Sequence, residues 1–143
     1  MAKGFTQEYN IDYEETVAPV AKMTTVRAVI VVVAMRTWSL SQMYVKNAFL
    51  NGDLIEEVYM VPPLDFPHNL GMVCKLRKPL YSLKQAPRAW FDKFSTVIYE
   101  LGFYACDHDS TLFLCYTSIG CTFLLLYVDD MIITGDDIDV LRS

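Results

Sequence analysis

Histidine is nearly absent from this sequence, with two residues in 143, and neither stands at ligand spacing from a cysteine. Cys74, Cys106, Cys115 and Cys121 form no CxxC pair. A zinc site of the finger type is therefore not expected, and reduced core thiols in an intracellular protein are. Long hydrophobic runs are lacking as well. The longest, residues 28–35 and 121–128, fall far short of the ~20 residues a membrane span needs, which excludes a transmembrane helix and a membrane partner. Lys3 is followed by no apolar stretch, so no secretory signal is expected at this start. Positive charge is also short, the formal net charge being −5.

Apolar material is plentiful. A hydrophobic fraction of 53% and a mean hydropathy of +0.25 supply an ample core, and they suggest surfaces meant to be covered by something else. The length suits one domain or part of a larger one. The net charge conceals a local pattern. Lys75, Arg77, Lys78, Lys84, Arg88 and Lys93 crowd one region that reads as opposed only by Asp92, while the acids sit at both ends and around Asp53 to Glu57. Phosphate binding depends on where cations cluster, because counterions are released locally. A solvated helix face explains such a cluster equally well.

In chain order, the first seven residues read as a strand end leading into a polar, acidic connection. Residues 25–36 are apolar and contain alanine, with Thr24 or Thr25 placed to cap and Arg36 near the end. The expectation is a buried helix, with burial overriding the β-branched preference of its valines. A strand over 39–45 follows, then a turn or short helix over 47–52. Short strands are expected at 58–61, stopped by Pro62 and Pro63, and at 72–76. Pro87 stands where a helix begins, and Trp90, Phe91, Phe94, Val97, Ile98 and Leu101 give residues 88–101 an amphipathic period closed by Gly102. Residues 112–116 and 122–128 flank a turn at 117–120. Asp136 or Asp137 reads as the N-cap of a last helix.

The chain is organised around Tyr127-Val128-Asp129-Asp130. Phe123 to Leu126 precede these residues and Met131 to Thr134 follow them. Two apolar runs with no room for a long loop read as a β-hairpin whose tip carries both carboxylates. Asp also suits turns for purely conformational reasons, so the pair alone does not define a site.

Three longer strings do more. VKNAFLNGDLIEEVYM from Val45, LYSLKQAPRAWF from Leu80 and YVDDMIITG from Tyr127 together resemble, in order, the reverse transcriptase of copia-type LTR retrotransposons. The resemblance covers almost the whole chain. It implies an α+β fold, the palm of a right-hand polymerase with part of the fingers, in which an antiparallel sheet carries both helices on one face and a nucleic-acid cleft on the other. It further implies a partial reverse transcriptase domain over residues 1–143, with more strand ahead of Met1 and with thumb, connection and ribonuclease H parts beyond Ser143. The partners it implies are an RNA or DNA template-primer, deoxynucleoside triphosphates and the remaining Pol polyprotein domains. The setting it implies is a cytoplasmic particle or the nucleus.

Nucleotide addition in such enzymes runs through two Mg²⁺ ions, with Mn²⁺ as an alternative, about 3.5–4 Å apart. Closely spaced cations need anionic oxygen ligands. The resemblance assigns Asp129 and Asp130 as metal ligands, with a further Asp just before Val-Lys-Asn-Ala-Phe. That position is Tyr44 here, a phenol with a reference pKa near 10 that stays neutral at pH 7. Phe49 matches the position beneath the incoming sugar, and a core Phe is an equal reading. Gln85 matches a segment near the nucleotide, and Lys3 resembles a fingers lysine that reaches the triphosphate. Lys84 and Arg88 are candidate phosphate contacts, although exposed helix cations explain them equally well. Ser82 stands where the family commonly has Gly, and Pro79 where it often has Ala. Three functions follow for comparison: an active RNA-directed DNA polymerase domain, a catalytically dead derivative of one, and an unrelated α+β binding module. Tyr44 favours the second.

Overall fold

The alternation of small and apolar residues between residues 104 and 135 builds a four-stranded meander, to which one distant strand is added. In the computed structural model, which describes residues 7–10, 17–137 and 139–140, the order is α1 (Met23–Arg36), β1 (Ser39–Tyr44), a short 3-10 helix (Ala48–Asn51), β2 (Tyr59–Met60), β3 (Cys74–Lys75), α2 (Ala86–Glu100), β4 (Tyr104–Cys106), β5 (Asp109–Tyr116), β6 (Cys121–Tyr127) and β7 (Asp130–Gly135). The expected strand end at residues 1–7 lies outside the described residues but for Gln7. Two units divide the chain within α2: Met1–Ala18 with Asn47–Phe94, and Pro19–Lys46 with Ser95–Ser143. The fold is α+β and its sheets are antiparallel.

In the first unit β2 pairs with β3, and the Leu76 amide donates to the Val58 carbonyl at 2.8 Å. Both strands are shorter than the sequence suggests. The prolines at 62 and 63 remove a donor from the ladder on one side. The core of this unit gathers Ala48, Phe49, Val58, Leu83, Ala86, Trp90 and Phe94. Gly52 lies so close to α2 that a Cβ would stand 2.8 Å from the Ala89 carbonyl carbon, so only glycine lets the loop after the 3-10 helix approach.

The second unit is the five-stranded sheet, ordered β1-β7-β6-β5-β4. Thr111, Phe113 and Cys115 of β5 share a buried face with Thr122 and Leu124 of β6, as the pairs Phe113↔Leu124 and Cys115↔Thr122 require. Tyr99 of α2 meets Phe113 there, ring centroids 5.9 Å apart. Thr25 of α1 bonds Asp109 on the same face of β5. α2 ends in a Schellman turn: Gly102, at φ 90°, donates to Tyr99 and Phe103 donates to Ile98. Its buried stripe is Trp90, Phe94 and Ile98, narrower than the sequence period suggests, since Val97 and Leu101 are exposed.

Two expectations about α1 are corrected. It is not a buried helix: Val29 alone is buried along it, and Ile30, Val31 and Met35 are exposed. Apolar residues on every side of a helix cannot all face one sheet, so hydropathy overstated its burial. Nor do Thr24 or Thr25 cap it. The N-cap is Lys22, without a side-chain cap bond, and the work passes to Asp109, whose Oδ2 accepts from the Lys22 amide at 3.0 Å and the Thr25 hydroxyl at 2.6 Å. Its Oδ1 accepts from the Thr111 amide and hydroxyl. Burial alone would raise the Asp109 pKa, but the Thr111 and Thr25 hydroxyls and the Lys22 and Thr111 amides outweigh it and leave it below the ordinary range. A depressed carboxyl contributes stability that is present above its unfolded value, near 3.9, and is lost as pH falls through the folded one. Asp109→Ala is expected to cost about 2–4 kcal/mol in urea denaturation at pH 7. It should also flatten the acid limb of stability against pH, and a loss under about 1 kcal/mol would remove Asp109 as the anchor of α1.

The last expected cap does form. Asp137 Oδ1 accepts from the Asp139 and Val140 amides at 3.1 and 3.3 Å, and residues 139–140 are helical. The Thr117 hydroxyl, followed by those two amides, holds the Asp137 carboxyl below its usual range.

Candidate functional site

Two residues, Val128 and Asp129, join β6 to β7, with Tyr127 paired to Asp130. Val128 has φ 58° and Asp129 is not among the residues with positive φ, the pattern of a type II′ turn. A β-branched residue at positive φ is strained by about 1–3 kcal/mol and persists only where its surroundings over-determine it. Part of that constraint comes from β1. The Val45 amide donates to the Asp129 carbonyl at 2.8 Å, continuing the β1–β7 ladder onto the hairpin tip.

That ladder fixes the neighbour of the carboxylates. Tyr44 is directly opposite Asp130, and directly opposed residues in an antiparallel pair project from the same face. Tyr127, Asp130 and Tyr44 thus form a row across β6, β7 and β1, on the face away from Phe113, with Asp129 beside them at the tip. Both carboxylates are partly exposed and Tyr44 is exposed. Among the described residues neither carboxylate is in an ion pair. Among those residues, too, no group of three or more His, Cys, Asp or Glu could hold a metal ion.

The other candidates belong to the first unit, apart from Lys3, which lies outside the described residues. Phe49 is buried in the 3-10 helix with its ring 4.5 Å from that of Tyr81. Gln85 is 2% exposed, and its carbonyl accepts the Ala89 amide at the start of α2. Lys84 Nζ donates to the Gln7 carbonyl at 3.0 Å. Arg88 Nε donates to Asp92 at 3.1 Å.

The basic cluster is more fully opposed than its sequence neighbourhood suggests. Asp53 pairs with Lys78 and Lys93, and Glu57 with Lys75. Bonds from Lys78 and then Lys93 hold the Asp53 carboxyl below its usual range, and bonds from Lys75 and then Tyr59 do the same for Glu57. Asp92 is therefore not the only acid facing the cluster. Sequence reasoning also missed Gln7, whose side chain bonds the Lys84 amide and the Gln85 carboxamide; no local pattern marks a glutamine that acts across so long a stretch of chain.

The described structure is an antiparallel sheet with helices on one face and, at the tip of the β6–β7 hairpin, the adjacent carboxylates Asp129 and Asp130. The family model for reverse transcriptase (RNA-dependent DNA polymerase) matches residues 1–143, and the chain belongs to that family. It is 42% identical over 99% of its length to the retrovirus-related Pol polyprotein from transposon RE2 of Arabidopsis thaliana. It is also 42% identical over 96% of its length to that from transposon TNT 1-94 of Nicotiana tabacum. These relatives bear out the copia-type resemblance. The chain spans 10% of the length of each. No solved structure matches it. No helix among the described residues is long and apolar enough to cross a membrane.

The family generally uses divalent metals. The donors at the hairpin do not fit a two-ion site, because the row contributes Asp130 and, at the tip, Asp129, while the facing position presents the Tyr44 phenol.

Proposed function

We propose that this chain is the palm, with part of the fingers, of a retrotransposon reverse transcriptase, and that Tyr44 leaves its nucleotidyl-transfer centre silent. The observation that carries this reading is the register Tyr44↔Asp130, which puts a neutral, bulky ring where a third carboxylate would complete the anionic cluster. With a carboxylate at position 44, Asp129, Asp130 and that residue would hold divalent ions, which would supply charge stabilisation for nucleotidyl transfer. The face of Tyr127, Asp130 and Tyr44 is the nucleic-acid cleft. Phe49 and Gln85, with Lys3, line the nucleotide site, and Lys84 and Arg88 meet template-primer phosphates. The remaining domains of a Pol polyprotein are its partners, in a cytoplasmic particle or the nucleus. Primer extension on an RNA template, in Mg²⁺ or Mn²⁺, tests the reading: measurable incorporation by the Tyr44 chain within its polyprotein refutes silence.

The ion pairs bear on nucleic-acid affinity. Binding through phosphates weakens with salt in proportion to the cations engaged, with a slope near −0.9 per phosphate on duplex. Asp53 occupies Lys78 and Lys93. Asp53→Asn is expected to tighten template-primer binding and to steepen the slope of log K against log salt by about one to two. An unchanged slope in a filter-binding titration counts against this cluster as the contact surface.

A further inference from the structure

We propose that the free edge of β1 is a self-association surface, on which a second copy of this chain adds its own β1 antiparallel with Ser41 on the two-fold axis. The sheet has two edges, and they are built differently. β4 is short, its register breaks between Ala105 and Cys106, and Asp107 follows it, all devices by which sheets keep stray strands away. β1 has none of them. Its residues, Ser39-Leu40-Ser41-Gln42-Met43-Tyr44, include no charge and no proline, keep one unbroken register with β7, and are all exposed. The ladder fixes which backbone groups point outward. Because the Val45 amide bonds the Asp129 carbonyl, the residues of β1 that exchange hydrogen bonds with β7 are the odd-numbered ones, and Leu40 and Gln42 turn their N–H and C=O groups to the free side. Among the described residues no strand lies on that side, and no backbone bond reaches Leu40 or Gln42 from it. Such a row is a template for an extended strand.

The strand that fits is its own copy. A two-fold interface must be self-complementary, and antiparallel pairing through Ser41 meets that condition: Leu40 of each copy lies opposite Gln42 of the other, and each such pair exchanges both of its backbone bonds. Ser41 then faces Ser41 at the closely spaced, non-bonded position, where a small side chain fits and the two hydroxyls can bond. Tyr44 falls opposite Trp38, an aromatic pair at each end. Charge agrees with this choice. At a net charge of −5 two copies repel over much of their surface, and β1 brings them together without adding to it.

Sedimentation equilibrium of the full chain, from micromolar to millimolar concentration, is expected to show a monomer–dimer equilibrium. Gln42→Pro removes an outward N–H at a position where an edge strand tolerates proline, and Ser41→Lys sets like charges against each other on the axis. Each should weaken the dimer at least roughly tenfold while the circular dichroism spectrum stays that of the folded chain. Ser41→Cys reads the register without weakening the contact. The closely spaced position is within disulfide reach, so mild oxidation should yield a peptide cross-linked through residue 41 of both copies, identified by mass spectrometry against the background of the native cysteines. Gln42→Cys, displaced along the strand from its counterpart, should not cross-link to itself. A chain that stays monomeric throughout overturns the proposal and leaves the edge to a strand of some other protein. A dimer that both Gln42→Pro and Ser41→Lys leave intact overturns β1 as its surface, and cross-linking through residue 42 in place of 41 overturns the pairing about Ser41.

Discussion

A Pol polyprotein carrying this chain is expected to extend no primer, and the same polyprotein with Tyr44→Asp to extend it at least roughly a thousandfold faster. The factor follows from charge. Losing one metal position removes several kcal/mol of transition-state stabilisation, and each 1.36 kcal/mol is tenfold in rate, so about 4 kcal/mol is a thousandfold. Residue 44 is the place to restore it because it is opposed to Asp130 across the β1–β7 ladder, which a new carboxylate would enter without moving the backbone. Adding Asp129→Asn should abolish incorporation again. A readout independent of turnover accompanies this one. Like charges directly opposed across strands destabilise a sheet, so Tyr44→Asp should melt lower than the parent in a chelator and regain the difference in Mg²⁺, as a ligand that binds only the folded state requires. Equal incorporation with and without the substitution would sink the assignment of residue 44, whatever the melting curves show.

The largest effect on stability is expected at Gly135. It closes β7 at φ 154°, paired on one side with Ser39 and on the other with Thr122. A Cβ there would collide with the Cys121 carbonyl oxygen and stand 2.9 Å from the Thr122 Cα. These are backbone atoms of a central strand, which cannot yield without breaking the ladder. Gly135→Ala should therefore cost about 4 kcal/mol or more and unfold the second unit at room temperature. Gly71→Ala provides the contrast: its φ is also positive, but nothing lies within 4 Å of a Cβ there, so about 1 kcal/mol is expected from conformation alone. Similar melting temperatures for the two variants, by circular dichroism, would refute the steric account.

The elements that sequence reading recovered best are those governed by neighbours in the chain. The hairpin around Val128 and Asp129, the helix carrying Trp90, Phe94 and Ile98, and the cap at Asp137 each follow from a local period or a turn preference. β4 was missed because three residues carry too little alternation to register. The exposure of α1 was missed because hydropathy reports what a residue could bury and not what lies beside it. The cap of α1 by Asp109, the pairing of Asp53 with Lys78 and Lys93, and the bonds of Gln7 to Lys84 and Gln85 all join residues far apart in sequence, and no spacing rule reaches that far. The candidate site divides the same way: the motif shows the carboxylates and the tyrosine, while only the strand register shows which of them face one another.

That register also sets an order of assembly. The turn between β6 and β7 closes over two residues, whereas the bond from Thr134 to Ser39 that ties β7 to β1 spans 95 positions of sequence. Closing a long loop costs more chain entropy than closing a short one, and distant pairings form late. The short-range pairings of the meander from β4 to β7 are expected to form first, with Asp129 and Asp130 at the tip of its last hairpin. β1 is expected to dock afterwards on the open side of β7, so that residue 44 meets the carboxylates in that later step. Whatever occupies position 44 therefore acts on pairings already formed, so that an exchange of tyrosine and aspartate at this edge can alter chemistry while leaving those pairings untouched.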